Sequence, residues 1–278
     1  MTSHLYQDEW QNAVRISDFE QFEGETTFQH VAAKFVVSGE ETYLINGKKF
    51  HVNTGEYLIG NNNLLSEVII KNKTKGLCID ISTDIITEII QTKFDNADLA
   101  EFICTDKFLV NKYYAEHTHL GHSLFQVTEA LHQHPTDRLF SSELFYSIGE
   151  HIVIDQSLIF EQFSKLNYKK PEVNEEVFRN LLNSKQYMDA YFLNPIGLEE
   201  LVNVAFMSKY AYIRLFKLTF GVTPYQYLLQ KRLQHAKTLV MKGEKITEVA
   251  LKTGFADTPT FSKAFKHFFG HSPTHYCK

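Results

Sequence analysis

The chain has 278 residues, 44% of them hydrophobic and 22% charged, the balance of a soluble globular protein long enough for two cored domains. Its first residues lack a basic start followed by an apolar run, and no stretch has bilayer length and apolarity, so a cytoplasmic chain with no membrane partner is expected. Three widely spaced cysteines, Cys78, Cys104 and Cys277, frame neither a disulfide scaffold nor a zinc site.

The net charge of −5 is unevenly spread. Residues 1–173 hold 14 Lys+Arg against 25 Asp+Glu, a balance of −11, and residues 174–278 hold 14 against 8, a balance of +6. A basic C-terminal part joined to an acidic remainder points to a polyanionic partner for the former, although a solvated basic face has the same composition.

The first eighty residues predict strands. "KFVVSGEETYLING" turns at Asn46-Gly47 into "KKFHVNTGEYLIG", and Asn-Gly between such runs predicts a hairpin because both turn residues take positive φ. Thr54-Gly55 and Asn61-Asn62-Asn63 mark further turns, and "SEVIIKN" and "KGLCIDIS" supply two more strands. The stretch "GKKFHVNTGEYLIGNN" resembles a degenerate second cupin motif, with Gly47, Gly55 and Asn62 in place. Asn53 stands for the motif's proline and Leu58 for its metal-binding histidine. No His-x-His precedes it, so no metal cofactor is expected in this barrel.

From Thr83 the period changes to helical. Ile85, Ile86, Ile89 and Ile90 share one face, with Thr83 or Asp84 as the expected cap. Helices are also expected over 122–134 and 141–166. The second is nearly encircled by apolar residues, which suits packing on the barrel, a dimer contact, or both on different faces. "EHTHLGH" gathers His117, His119 and His122, with His132 and His134 beyond. These three are the only candidate metal ligands, but their spacing fits neither a zincin helix nor a finger, and surface or capping histidines are the simpler expectation. No phosphate-binding loop, nucleophile elbow or dinucleotide turn is present, so no catalytic residue is expected.

Lys169-Lys170-Pro171 is the expected linker, placing an N-terminal domain at 1–168, a linker at 169–173 and an all-helical domain at 174–278. That last domain writes one pattern twice. "LFKLTFGVTPYQY" begins at Leu215 and "AFKHFFGHSPTHY" at Ala264, so that Phe216, Lys217, Phe220, Gly221, Pro224 and Tyr227 recur 49 positions later as Phe265, Lys266, Phe269, Gly270, Pro273 and Tyr276. Each copy follows a short helix and a turn: "LEELVNVAF" precedes a helix capped by Ser208, and "ITEVALKTGF" precedes one capped by Thr258 or Asp257, with Pro259 in its first turn.

Tyr212, Leu215, Phe216 and Phe220 form a core stripe, repeated by Phe261, Ala264, Phe265 and Phe269. The opposite faces carry Tyr210, Ile213, Arg214 and Lys217, then Pro259, Ser262, Lys263 and Lys266, with Ser208, Lys209 and Thr258 at the helix starts. Arg forks onto guanine and Lys neutralises phosphate, so these eleven positions are the candidate DNA-binding residues. Between the units, Pro224 opens a helix with a stripe of Leu229, Leu233, Ala236 and Val240. At about 18 residues this rod is ~27 Å long, near the ~34 Å between successive major-groove faces.

These spaced motifs resemble the DNA-binding domain of the AraC/XylS family of bacterial transcription regulators over residues 174–278. The resemblance implies an α+β two-domain protein: an N-terminal cupin-like β-barrel with appended helices, and a C-terminal all-α domain whose two helix-turn-helix units are joined by a long helix. It implies a sequence-specific regulator, an activator, with helices near 208–217 and 258–267 in consecutive major grooves of double-stranded DNA. It further implies a small-molecule effector bound in the barrel interior, a homodimer formed through the N-terminal domain, and RNA polymerase as partner of an activator. Pro259-Thr260, Ile213 and Ala205-Phe206 depart from the common pattern, the last replacing a glycine turn. Two alternatives stand beside this: a metal- or redox-responsive regulator, and a metal-dependent cupin enzyme fused to a DNA-binding domain.

Overall fold

The computed structural model describes residues 2–61, 64–105, 107–133 and 140–276; Asn62, His134 and Cys277, and the side chain of His132, lie outside the described residues. The chain forms two compact units, Met1–Glu161 and Gln162–Lys278.

The first unit is built on ten antiparallel strands: β1 Thr2–Gln7, β2 Ala13–Phe19, β3 Phe22–Thr27, β4 Val31–Ser38, β5 Glu40–Ile45, β6 Lys48–Asn53, β7 Glu56–Asn61, β8 Leu65–Ile70, β9 Thr74–Ile81 and β10 Asn111–Tyr114. They make a six-stranded sheet in the order β1-β2-β9-β4-β7-β10 and a four-stranded sheet in the order β3-β8-β5-β6. The hairpin expected at Asn46-Gly47 is β5–β6, with Ile45 opposite Lys48 and φ of +49° and +72° at the two turn residues. β5 alternates between buried and partly exposed positions, whereas β7 is buried along its whole length. The second face of the larger sheet is covered by helices: Phe35 of β4 meets Phe125 edge-on at 5.2 Å, and the Tyr57 hydroxyl of β7 reaches Thr118 at 3.1 Å. Two facing sheets with helices outside fit a cupin-like arrangement, and the described strands remain two separate sheets.

The helices of this unit are α1 Thr83–Lys93, α2 Ala97–Cys104, α3 His119–Gln133 and α4 Ser142–Ser164. The cap of α1 is Ser82, not Thr83 or Asp84: its side chain accepts the Asp84 N–H at 3.2 Å. The helix expected from residue 122 begins three residues earlier, because Asp155 of α4 accepts the backbone N–H groups of His119 (3.2 Å) and Leu120 (2.9 Å). That distant acceptor acts beside a local cap, Thr118, whose Oγ1 accepts the Gly121 N–H at 3.0 Å. α4 packs within its own unit through Phe145, Ile148, Ile152 and Val153, and a Cβ on Gly149 would sit 3.0 Å from Ile89 of α1.

The second unit holds α5 Pro171–Tyr191, α6 Leu198–Val204, α7 Lys209–Phe220, α8 Pro224–Met241, α9 Ile246–Lys252 and α10 Thr258–Phe269. The residues expected as a linker contain the start of α5, where Pro171 takes the first helical position and its missing N–H leaves no bond unmade. α8 opens with a reciprocal capping box between Thr223 and Gln226 and runs 18 residues. Its buried stripe is Leu228, Leu233, Ala236 and Val240; Leu229, expected there, is only partly buried. Each helix pair leans on a longer helix, α6–α7 on α5 and α9–α10 on α8. Leu181, Ser184 and Met188 of α5 are buried at the same spacing as Leu233, Ala236 and Val240 of α8.

Candidate nucleic-acid interface

The repeated aromatic residues anchor the second helix of each pair in the same way. Ring centroids are 5.6 Å apart for Tyr212–Phe216 and 5.5 Å for Phe261–Phe265, and 4.6 Å for both Phe216–Phe220 and Phe265–Phe269. The recurring tyrosines close each cluster, Tyr227 on Phe216 at 6.0 Å and Tyr276 on Phe265 at 5.7 Å. Gly221 (φ +79°) and Gly270 (φ +80°) end the two helices in the left-handed conformation.

This anchoring fixes which faces stay outside. Ser208, Lys209, Tyr210, Ile213, Arg214 and Lys217 are exposed on α7 and its cap; Pro259, Lys263 and Lys266 are exposed on α10, while Thr258 and Ser262 are half-buried. The structure brings the eleven candidates together as two faces, one per second helix. Lys209 is engaged by Glu199 of α6. Arg214, Lys217, Lys263 and Lys266, by contrast, have no carboxylate partner among the described residues.

The two helix starts differ. Ser208 stands at the cap of α7, but its hydroxyl makes no capping bond, so the first-turn N–H groups stay open. Asp257, not Thr258, caps α10, accepting the Thr260 N–H at 2.7 Å, and that bond holds its carboxyl below the ordinary value. Negative charge is thus already placed at the start of α10.

The turns differ too. Val202 O accepts the Met207 N–H at 3.1 Å and Ala250 O the Phe255 N–H at 3.0 Å, so the first helices and their turns correspond 48 positions apart, while the second helices correspond at 49. Ala256 is the extra residue. Phe206 (φ +50°) therefore occupies the place of Gly254 (φ +80°), and its side chain is 83% exposed. A bulky residue in the left-handed region is an outlier that glycine avoids.

Polar struts missed by pattern reading bind the helices of this unit together. The Asp189 carboxylate of α5 accepts from Tyr227 Oη (2.6 Å) and pairs with Lys231 (2.9 Å) and Lys185 (3.2 Å). Burial raises its pKa, yet Lys185, Tyr227 and Lys231 together hold it below the ordinary carboxylate range. Tyr227 is in turn pushed upward by burial and by Asp189. Tyr212 Oη meets Ser184 of α5 at 2.6 Å, and burial pushes the phenol up to about 12. Arg232 of α8 donates from Nε to Phe192 O and from Nη2 to Asn194 O, both at 2.7 Å, and its guanidinium carbon would lie 3.0 Å from a Cβ on Gly254. The guanidinium thus links the end of α5 to the turn before α10.

The histidine candidates are committed separately. His119 Nδ1 lies 2.9 Å from Asp155, His122 Nδ1 lies 2.6 Å from Thr118 O, and His117 Nε2 lies 3.3 Å from Glu116. Among the described residues no group of three His, Cys, Asp or Glu is placed to hold a metal ion. Leu58, at the motif's metal position, is fully buried in β7. No described helix is long and apolar enough to cross a membrane.

Two short helices, each joined by a tight turn to a longer helix with an outward basic face, define a helix-turn-helix DNA-binding domain. A family model described as a helix-turn-helix domain, of the AraC type, matches residues 201–278. It is 30% identical to a probable transcriptional regulator, LumQ of Photobacterium leiognathi, over 60% of this chain and 62% of that protein. It is 33% identical to the regulator ArgR of Pseudomonas aeruginosa over 31% of this chain and 26% of that one. An uncharacterized helix-turn-helix regulator of Haemophilus influenzae is 25% identical over 98% of this chain and 91% of its own. The chain therefore spans 62% and 26% of the first two relatives. Among solved structures, an AraC-type regulator from Chromobacterium violaceum is 26% identical over 35% of this chain and 88% of its own (TM-score 0.34). ToxT from Vibrio cholerae is 13% identical over 95% of both chains (TM-score 0.36).

Proposed function

We propose that the chain is a sequence-specific transcription regulator, acting as an activator, in which α7 and α10 enter consecutive major-groove segments of double-stranded DNA. The observation that carries this reading is the unpaired basic face. Four exposed cations without carboxylate partners stand on the outward sides of two helices whose inner sides are the same aromatic anchor. Lys252, by comparison, is paired with Glu244 at 2.7 Å. Arg214 and Lys263, at matching places, give the two segments different chemistry to read. The 18 residues of α8, ~27 Å long, would hold the reading helices one groove apart.

The first unit would sense a small molecule and form the homodimer, with exposed Tyr146 and Leu158 available on α4. The effector would act by shifting how the DNA-binding units are presented, and RNA polymerase would be the partner that turns binding into activation.

A gel-shift titration of the full chain on its own upstream DNA tests the reading. Affinity should fall steeply with salt, by about 0.9 in log–log slope for each phosphate neutralised. Arg214→Ala should cost about 1–3 kcal/mol at one base position. Absent or salt-insensitive binding removes the reading, and an unchanged base preference in a randomised-site selection removes Arg214 from the base-contacting set.

A further inference from the structure

A cavity of about 280 Å³ opens between the two sheets of the first unit. It lies just under the ~300 Å³ at which pockets for drug-sized ligands begin, so it suits a small metabolite. Its walls include Val68 and Ile70 of the smaller sheet, which suit an apolar body, and the ionisable residues Arg15, Glu25, Lys34, Glu41, Tyr43 and Cys78, of which Glu25 is exposed.

The charges in and beside this cavity divide into two sets. Arg15 forms an ion pair with Asp80 and lies 3.4 Å from Cys78 Sγ, so the opposite charges of this set are paired. Lys34 and Glu41 form no ion pair. Lys34 is 9% exposed, and its ammonium makes one hydrogen bond, to Thr26 Oγ1 at 3.0 Å, while standing 4.8 Å over the Phe28 ring. Glu41 is 5% exposed; its Oε2 accepts from the Tyr43 hydroxyl, and Oε1 has no donor among the described residues. No described carboxylate lies within ion-pair distance of Lys34.

An ammonium has three donors and a carboxylate two acceptor oxygens, so the cavity keeps two N–H bonds and one oxygen to offer. Buried charges are otherwise paired, because desolvation without a partner is strongly unfavourable. A carboxylate alone would answer Lys34 and leave Glu41 unanswered, and a neutral polyol would leave both charges uncompensated. Burial pushes the Glu41 carboxyl upward, against the bond from Tyr43 and the charge of Lys34.

We propose that this cavity binds a small zwitterion of the amino-acid class, its carboxylate on Lys34, its ammonium on Glu41 and its side chain against the apolar wall. This deepens the sensing role given to the first unit and rests on it, but not on the DNA contacts.

The test is thermal unfolding of the full chain with each of the common amino acids, their N-acetyl derivatives, their amides, and a set of monosaccharides. At least one free amino acid should raise the melting temperature, and its N-acetyl and amide forms should bind about tenfold or more weakly, the loss of one charge-assisted bond. Lys34→Met and Glu41→Gln should each weaken that amino acid to a similar degree, with Lys34→Arg retaining part of the affinity. If Lys34→Met does not fold, Glu41→Gln carries the test. No shift with any amino acid, an equal shift with the blocked forms or sugars, or undiminished binding by Glu41→Gln overturns the proposal. A chain that binds its DNA but ignores amino acids loses only this inference, and one that binds an amino acid but no DNA loses only the DNA reading.

Discussion

Gly254→Ala probes the joint between the two helix pairs of the second unit, and Gly270→Ala is its internal control. Both glycines have φ of +80°, but a Cβ at Gly270 would meet nothing within 4 Å, while one at Gly254 would lie 3.0 Å from the guanidinium carbon of Arg232. The left-handed conformation costs an alanine about 1–2 kcal/mol, and ~0.4–1 kcal/mol of that is recovered because alanine stiffens the unfolded chain. Gly270→Ala should therefore destabilise its surroundings by about 1 kcal/mol. At Gly254 the guanidinium must also give way, straining its two 2.7 Å bonds to Phe192 O and Asn194 O. Such bonds from a charged donor contribute about 1.5–3 kcal/mol each when buried, and Arg232 is half-exposed, so a further ~1 kcal/mol is the reasoned figure. Native-state hydrogen exchange in α10 reads both variants in the intact chain. A total near 2 kcal/mol should shift the melting of this unit by roughly 8–16 °C. A double-mutant cycle with Arg232→Ala should return a coupling of about 1 kcal/mol. Equal effects at the two glycines, or no coupling, would refute the strut.

Two further outcomes follow from the same unit. Phe206→Gly should stabilise it by up to about 1 kcal/mol, since the strained φ is relieved and an 83% exposed ring loses little burial; hydrogen exchange in α6 and α7 reads this, and destabilisation would show that the ring is packed. Asp189, whose folded pKa is depressed, contributes stability that is fully present above its unfolded value and is lost as pH falls through the folded one. Urea midpoints taken from about pH 5 down to pH 2 should show that loss, and Asp189→Asn should flatten the profile; an unchanged slope would mean that Lys185 and Lys231 do not hold the charge.

Local rules were legible in the chain. Asn46-Gly47 specified a hairpin because only certain residues accept positive φ, and the spacing of Phe216 with Phe220, then Phe265 with Phe269, specified an anchored face because 3.6 residues make a turn. Once those faces point inward, the outward cations follow from geometry alone. What the sequence left open depends on partners far along the chain. Ser82, whose own N–H is held by Asn12 from 70 residues away, caps α1 in place of Thr83, and Asp155 supports the start of α3 from 36 residues away. The one-residue difference between the turns at Phe206 and Gly254 became visible only in their hydrogen bonds, because a fixed 49-residue offset hides it. Lys34 and Glu41, seven positions apart on neighbouring strands in sequence, gain meaning only when two sheets enclose them and withhold an ion-pair partner from each. Periodicity determines which side of an element is buried; only tertiary structure decides what meets it there, since distance in space is not written in distance along the chain.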